Sequence, residues 1–305
     1  MNPIVCLGVD PAPSWGGAVA ECVYDDNGFR DFKIPEEKAH GELRTRFDKL
    51  KNPSSGKHAI VGWDAPLTGP PDPDDKDTSL CDKQLSYRGI EKALSPLIGK
   101  KEKQVKGVSV LPFGGCPHWT ITRNLVGLPR VGEWDRAEEE LPFRLLTEDT
   151  QPSEKELSEK PCIVEVHPAV ALWLWASWDN LNQWRGSTDF IYKGRIKKQE
   201  GEKETTKVNL KERRGKILDL VFERWKNYPD SSQFMEQLNI RKYRTEIIET
   251  GDSLDAFIAM ALVCLFVKKT TQPDQRRVKL FGDRERGAML LPDHKEIPAE
   301  LRHAR

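Results

Sequence analysis

Ile4-Val5-Cys6-Leu7-Gly8-Val9-Asp10-Pro11 decides the fold class, because the segment after it is a strand and not a helix. The stretch reads as an apolar strand ending on a carboxylate. A dinucleotide-binding fold would enter a helix directly after such a strand. Here a short loop, Pro11–Trp15, leads into a second strand within Gly16–Asp26, and Phe29–Ile34 makes a shorter third. Asn27-Gly28 between them spells a type I′ hairpin, whose two central residues need positive φ. Glu36–Lys51 then carries Leu43, Phe47 and Leu50 at helical spacing, closed by Asn52-Pro53, and His58–Trp63 returns to strand character. Three strands, a helix and another strand define an α/β class with a mixed sheet.

Working outward, residues 68–160 read as an insertion. Pro70-Pro71-Asp72-Pro73-Asp74-Asp75 is a stiff acidic loop, a helix is expected around Ser79–Leu94, and Val108–Phe113 is a short extended run. Glu148–Lys160 is almost wholly polar and reads as a loop. Core character resumes with a strand at Cys162–Val166. Helices are expected over Ala169–Asn180, Leu210–Asn227 and Asp252–Lys268, the last apolar nearly all round and therefore buried against the sheet. These readings make 1–292 one domain and 293–305 a polar tail.

Composition bounds the function. The 305 residues are 37% hydrophobic with nine tryptophans, enough for a sizeable core. Forty-eight basic residues balance forty-eight acidic ones, so any attraction to a polyanion must come from local clustering. The six cysteines are scattered without a C-x-x-C pair, which fits reduced thiols in the cytoplasm. No basic region followed by an apolar one marks a secretory leader, and the longest apolar run, Ala256–Val267, is too short to span a bilayer. No membrane association is expected.

Four acids carry the chemistry. Asp10 and Asp64 each end an apolar strand and are followed by Pro11 and by Ala65-Pro66. Aspartate there is often only a turn former. Two parallel strands ending together would, however, bring the carboxylates close, and a bound cation is the simplest relief of their repulsion. Asp252 and Asp255, three residues apart at a helix start, share a face. Taken alone, that pair reads first as a cap. Taken with Asp10 and Asp64, it completes an oxygen-only ligand set suited to Mg²⁺ or Mn²⁺. Two such ions about 4 Å apart can activate water and stabilise a leaving oxygen.

Glu165 and His167 alternate onto one face of Val164-Glu165-Val166-His167-Pro168. They read equally as a sheet-face pair, or as a further metal ligand and a proton-moving group. Lys193-Gly194-Arg195 and Lys211-Glu212-Arg213-Arg214 could neutralise phosphates, although interleaved glutamates also suit a solvated face. Trp173, Trp175, Trp178 and Trp184 read as core anchors before base-stacking platforms.

Gly8-Val9-Asp10, Trp63-Asp64-Ala65-Pro66-Leu67, Glu165-Val166-His167-Pro168, Asp252-Ser253-Leu254-Asp255-Ala256 and Gly287-Ala288-Met289-Leu290-Leu291-Pro292 occur in this order. The ordered set resembles a prokaryotic family of predicted nucleases, the domain of unknown function four-two-nine. It spans about Ile4 to Pro292. The resemblance implies a ribonuclease H-like mixed sheet, akin to Holliday-junction resolvases, with Asp10, Asp64, Asp252 and Asp255 as the acids. It also implies that Arg88 belongs to a basic segment meeting substrate. Ala169 departs from the pattern, since an acid is expected after His-Pro in many relatives.

The expectation is a metal-dependent nuclease acting on DNA or RNA through two ions. Two alternatives stand beside it. One is a nucleotide-binding phosphotransferase of the actin and sugar-kinase type, for which only Gly16-Gly17 and Gly114-Gly115 offer phosphate loops. The other is a non-catalytic nucleic-acid or protein adaptor.

Overall fold

The computed structural model describes residues 2–11, 17–34, 40–50, 58–67, 88–99, 103–108, 122, 125–126, 141–148, 150–193, 209–268, 278–283, 287–298 and 301. The expected run Val108–Phe113 therefore lies almost wholly outside the described residues, as does the acidic loop at 70–75.

The chain builds an α/β fold around a six-stranded mixed sheet. Strand β1 (Ile4–Asp10) pairs antiparallel with β2 (Ala18–Asp25), and β2 with β3 (Gly28–Lys33). On its other side β1 runs parallel to β4 (His58–Trp63). Beyond the two-residue β5 (Arg144–Leu145) the chain reaches β6 (Cys162–Glu165), which pairs parallel with both β4 and β5. The order is β3-β2-β1-β4-β6-β5. β1 and β4 are apolar on both sides because both of their faces are covered.

Alternation sorts the side chains. Leu7, Val9, Val61 and Trp63 face α1 (His40–Leu50), whose Leu43 and Phe47 fill one core layer. The Phe47 and Trp63 rings meet edge-on at 5.3 Å. Cys6, Ile60, Cys162 and Val164 belong to the larger core on the opposite face. That core takes in α2 (Gly89–Ile98), α4 (Pro168–Ala176), α5 (Leu210–Lys226), α6 (Pro229–Gln237) and α8 (Gly251–Val267). The short α7 (Arg244–Ile247) precedes α8. Trp173 and Trp175 are buried core residues.

Three expectations are corrected. The hairpin loop is Asp26-Asn27 rather than Asn27-Gly28, since Asp25 pairs with Gly28. The Asp25 carboxylate accepts from the Asn27 N–H at 2.8 Å, and Gly28 alone in the turn has positive φ. An Asx turn has won over the primed turn. Second, 148–160 is not all loop, because α3 (Glu154–Glu159) opens on a Ser153/Glu156 capping box. Third, the C-terminal region is structured. β7 (Val278–Asp283) and β8 (Gly287–Pro292) form an antiparallel hairpin that meets the end of β6 through a Val166–Leu290 bridge. His294, Ile297 and Leu301, within the expected polar tail, are buried. Among the described residues no helix is long and apolar enough to cross a membrane.

Candidate functional site

Asp10 and Asp64 sit together because β1 and β4 end in register. Val9 opposes Trp63, and the Asp64 N–H donates to the Val9 carbonyl at 2.9 Å. What brings α8 onto them is the pair Gly8 and Gly62, which face one another in the same register. A Cβ at Gly8 would stand 2.0 Å from the Ala256 carbonyl oxygen, and one at Gly62 would stand 2.8 Å from that of Ala259. The helix backbone therefore rests directly on the sheet, and its first turn overhangs the strand ends. Thr250 caps that turn by accepting from the Ser253 N–H, so neither Asp252 nor Asp255 supplies the Ncap group.

One carboxylate oxygen each from Asp10, Asp64 and Asp255 lies within 4.8 Å of the others. Lys193 closes the cluster. Its ammonium donates to Asp10 Oδ2 at 2.6 Å and pairs with Asp255 Oδ2 at 2.5 Å and Asp252 Oδ1 at 3.0 Å. The Tyr192 hydroxyl donates to the other oxygen of Asp255 at 2.7 Å. Asp10 and Asp255 are buried, Asp64 is half-buried, and the Asp252 side chain reaches solvent.

Burial governs the protonation of these acids. It pushes Asp10 up to about 7, against the pull of Lys193 and with the repulsion of Asp255 and Asp252. It pushes Asp64 well above the usual carboxylate range, reinforced by Asp10 and Asp255. Asp255 is raised for the same reason, although Lys193 and Tyr192 oppose the shift. Burial alone would lower the Lys193 ammonium, but Asp255, Asp10 and Asp252 outweigh it and hold the charge firmly.

The other expected site residues are placed differently. Glu165 stands at the end of β6, but its carboxylate turns to Arg88, with Arg88 Nη1 donating at 2.8 Å and Nη2 at 2.5 Å. Glu165 also accepts from the Leu67 N–H at 2.7 Å. Arg88, expected to meet substrate, is 3% exposed and donates through Nε to Glu91 at 2.7 Å. Burial works against the Arg88 charge, and Glu165 and Glu91 more than restore it. Among the described residues, the two side chains bind each other, Glu91 and the Leu67 N–H, and so fix the loop that leaves Asp64.

His167 is the half-buried Ncap residue of α4, outside the set of acids that converges. Arg214, expected on a phosphate-binding face, is buried. It donates to the carbonyls of Ile248 at 2.7 Å, Glu249 at 2.8 Å and Tyr192 at 3.0 Å. It thereby clamps Tyr192-Lys193 to the segment entering α8. Arg213 donates to the Thr188 carbonyl. Arg195 lies outside the described residues. Tyr192 is the member that motif reading missed, and only its place beside Lys193 could have signalled it.

Three hard oxygen donors within 4.8 Å fit a small divalent cation, for which Mg–O bonds of about 2.1 Å put opposite ligands about 4.2 Å apart. Lys193 supplies one positive charge to the cluster, and a divalent cation would favour the ionised form of the acids that burial raises. No protein-family model, curated protein or solved structure matches this chain.

Proposed function

We propose that the protein is a Mg²⁺- or Mn²⁺-dependent nuclease of ribonuclease H-like fold, hydrolysing phosphodiester bonds in DNA or RNA. One observation carries the reading: acids from the end of β1, the residue after β4 and the N-terminal part of α8 converge within 4.8 Å. The strand order β3-β2-β1-β4-β6-β5, antiparallel first and parallel after, supports the fold assignment, as do the ordered motifs of the sequence. Free, buried Cys6, Cys22, Cys162 and Cys264 suit a reducing cytoplasm.

In this reading Asp10, Asp64 and Asp255 would hold the divalent cation, which would supply charge stabilisation and acidify water at the site. The chain's own groups do the positioning. Tyr192 fixes one oxygen of Asp255, so the other is aimed into the cluster. Arg214 holds the Tyr192 carbonyl, and the Arg88–Glu165 pair holds the loop beyond Asp64. Among the described residues, Asp64 is half-buried and the Asp252 side chain reaches solvent, so a phosphodiester would approach from the side of these two acids.

A second reading, a non-catalytic adaptor, draws on Lys193, whose ion pairs would let the acids serve structure alone. Labelled DNA, RNA and hybrid incubated with Mg²⁺ or Mn²⁺ decide between them. Cleavage by wild type that is lost in Asp10→Asn supports the nuclease. Equal behaviour of the two proteins on every substrate removes it.

A further inference from the structure

The acidic centre divides into two overlapping triads that share Asp10 and Asp255. One is the triad Asp10, Asp64 and Asp255. The other is the triad Asp10, Asp252 and Asp255, and there the Lys193 ammonium already stands at 2.5 to 3.0 Å from one oxygen of each acid. An ammonium has three N–H donors, and these three carboxylates face it together.

Lys193 is built into this place rather than resting on it. Its stem lies against Gly251, where a Cβ would come 2.2 Å from Lys193 Cγ. Its backbone is held from the previous residue, since Arg214 binds the Tyr192 carbonyl and the Tyr192 hydroxyl binds Asp255. The facing carboxylates keep the ammonium charged although its side chain is partly withdrawn from solvent. A surface lysine whose stem is free would not meet all of these constraints.

We propose that Lys193 permanently fills the second cation position of the centre, so that the chain binds one divalent ion and uses the tethered ammonium as the other positive charge. The inference rests on the divalent-cation reading of these acids, and it departs from the two-ion arrangement that the motifs suggest. One ion then belongs on the Asp10–Asp64–Asp255 side. Lys193 offers a fixed charge on the Asp252 side, where a phosphate oxygen or leaving group carrying negative charge would be stabilised without a second metal.

Ion counting tests this without any turnover. Mn²⁺ titrated into the full chain and followed by electron paramagnetic resonance should give one bound ion per wild-type chain, with no spin coupling. Lys193→Met and Lys193→Ala should each bind two, with the coupled signal of ions about 4 Å apart. Two coupled ions in wild type overturn the proposal while leaving a metal centre standing, and that measurement needs no variant. A single ion in both folded variants also overturns it. No bound ion in wild type or in either variant removes the metal reading and this inference together.

Discussion

Gly8 and Gly62 face each other across neighbouring parallel strands, and the backbone of α8 comes close to both. The position of Asp255 over Asp10 results from that contact. Gly8→Ala should therefore act on the fold and on the cluster at once. A methyl 2.0 Å from the Ala256 carbonyl and 2.1 Å from the Met260 nitrogen must lift the helix, because neither atom belongs to a flexible side chain. Overpacking of this kind costs about 1–3 kcal/mol, and backbone contacts put it at the upper end. Urea unfolding should show that loss with an unchanged slope, accompanied by weaker Mn²⁺ binding. Gly62→Ala, at 2.8 Å, should cost less.

Asp10 sets a pH dependence. Its carboxyl shifts from 3.8 to about 7 on folding. Between those values the unfolded chain has released a proton that the folded chain retains, so stability falls as pH rises through that window. In the presence of a chelator, Asp10→Asn should match wild type in Tm at about pH 4 and exceed it at about pH 8. An equal or lower Tm at the higher pH would contradict the burial-driven shift.

Divalent binding should run the opposite way. The ligands must be deprotonated to hold a cation, so Mn²⁺ affinity in wild type should climb between about pH 5 and about pH 8. Isothermal calorimetry in buffers of differing ionisation heat should show proton release on binding. A flat profile would mean that Asp10 is not among the ligands.

Arg88 holds two buried carboxylates. Arg88→Met leaves Glu165 and Glu91 without their charge partner, a loss of about 3–5 kcal/mol. Adding Glu165→Gln and Glu91→Gln should recover part of it, since the penalty lies in the stranded charges. Denaturation of the single and triple variants measures this, and equal stabilities would refute the assignment.

Cys6, Cys22 and Cys264 converge from β1, β2 and α8, all fully buried, with the Cys22 and Cys264 sulfurs 3.3 Å apart. Burial pushes the Cys22 and Cys264 thiols well up. In a Cys81→Ser/Cys116→Ser background, an aromatic disulfide reagent should label none of the three until denaturant unfolds the chain. Fast labelling of the native protein would contradict their burial.

Much of the core can be read directly from sequence. Ile4–Asp10 and His58–Trp63 are contiguous apolar runs bounded by breakers, and the strands have those same limits. The long helix is visible because Leu254 to Val267 has almost no polar interruption. Helix α3 is hidden because only Leu157 is buried in it, so it has a cap without an apolar stripe. The β7–β8 hairpin is hidden because it docks at Val166, far away along the chain. Among site residues, the four acids can be found at strand and helix ends. The inward turn of Arg88 cannot, because Glu165 lies 77 residues away. Lys193 and Arg214 look like members of charged runs, and only the fold separates them from their solvated neighbours.

Leu67 and Arg88 share a further consequence. Both bind Glu165, one through its backbone N–H and the other through its guanidinium. The chain therefore departs at 67 and returns at 88 with each stem tied to a single anchor on the sheet. Loss of the Glu165 carboxylate would therefore release both stems at once, freeing the backbone just beyond Asp64 and the residue that opens α2 in a single step.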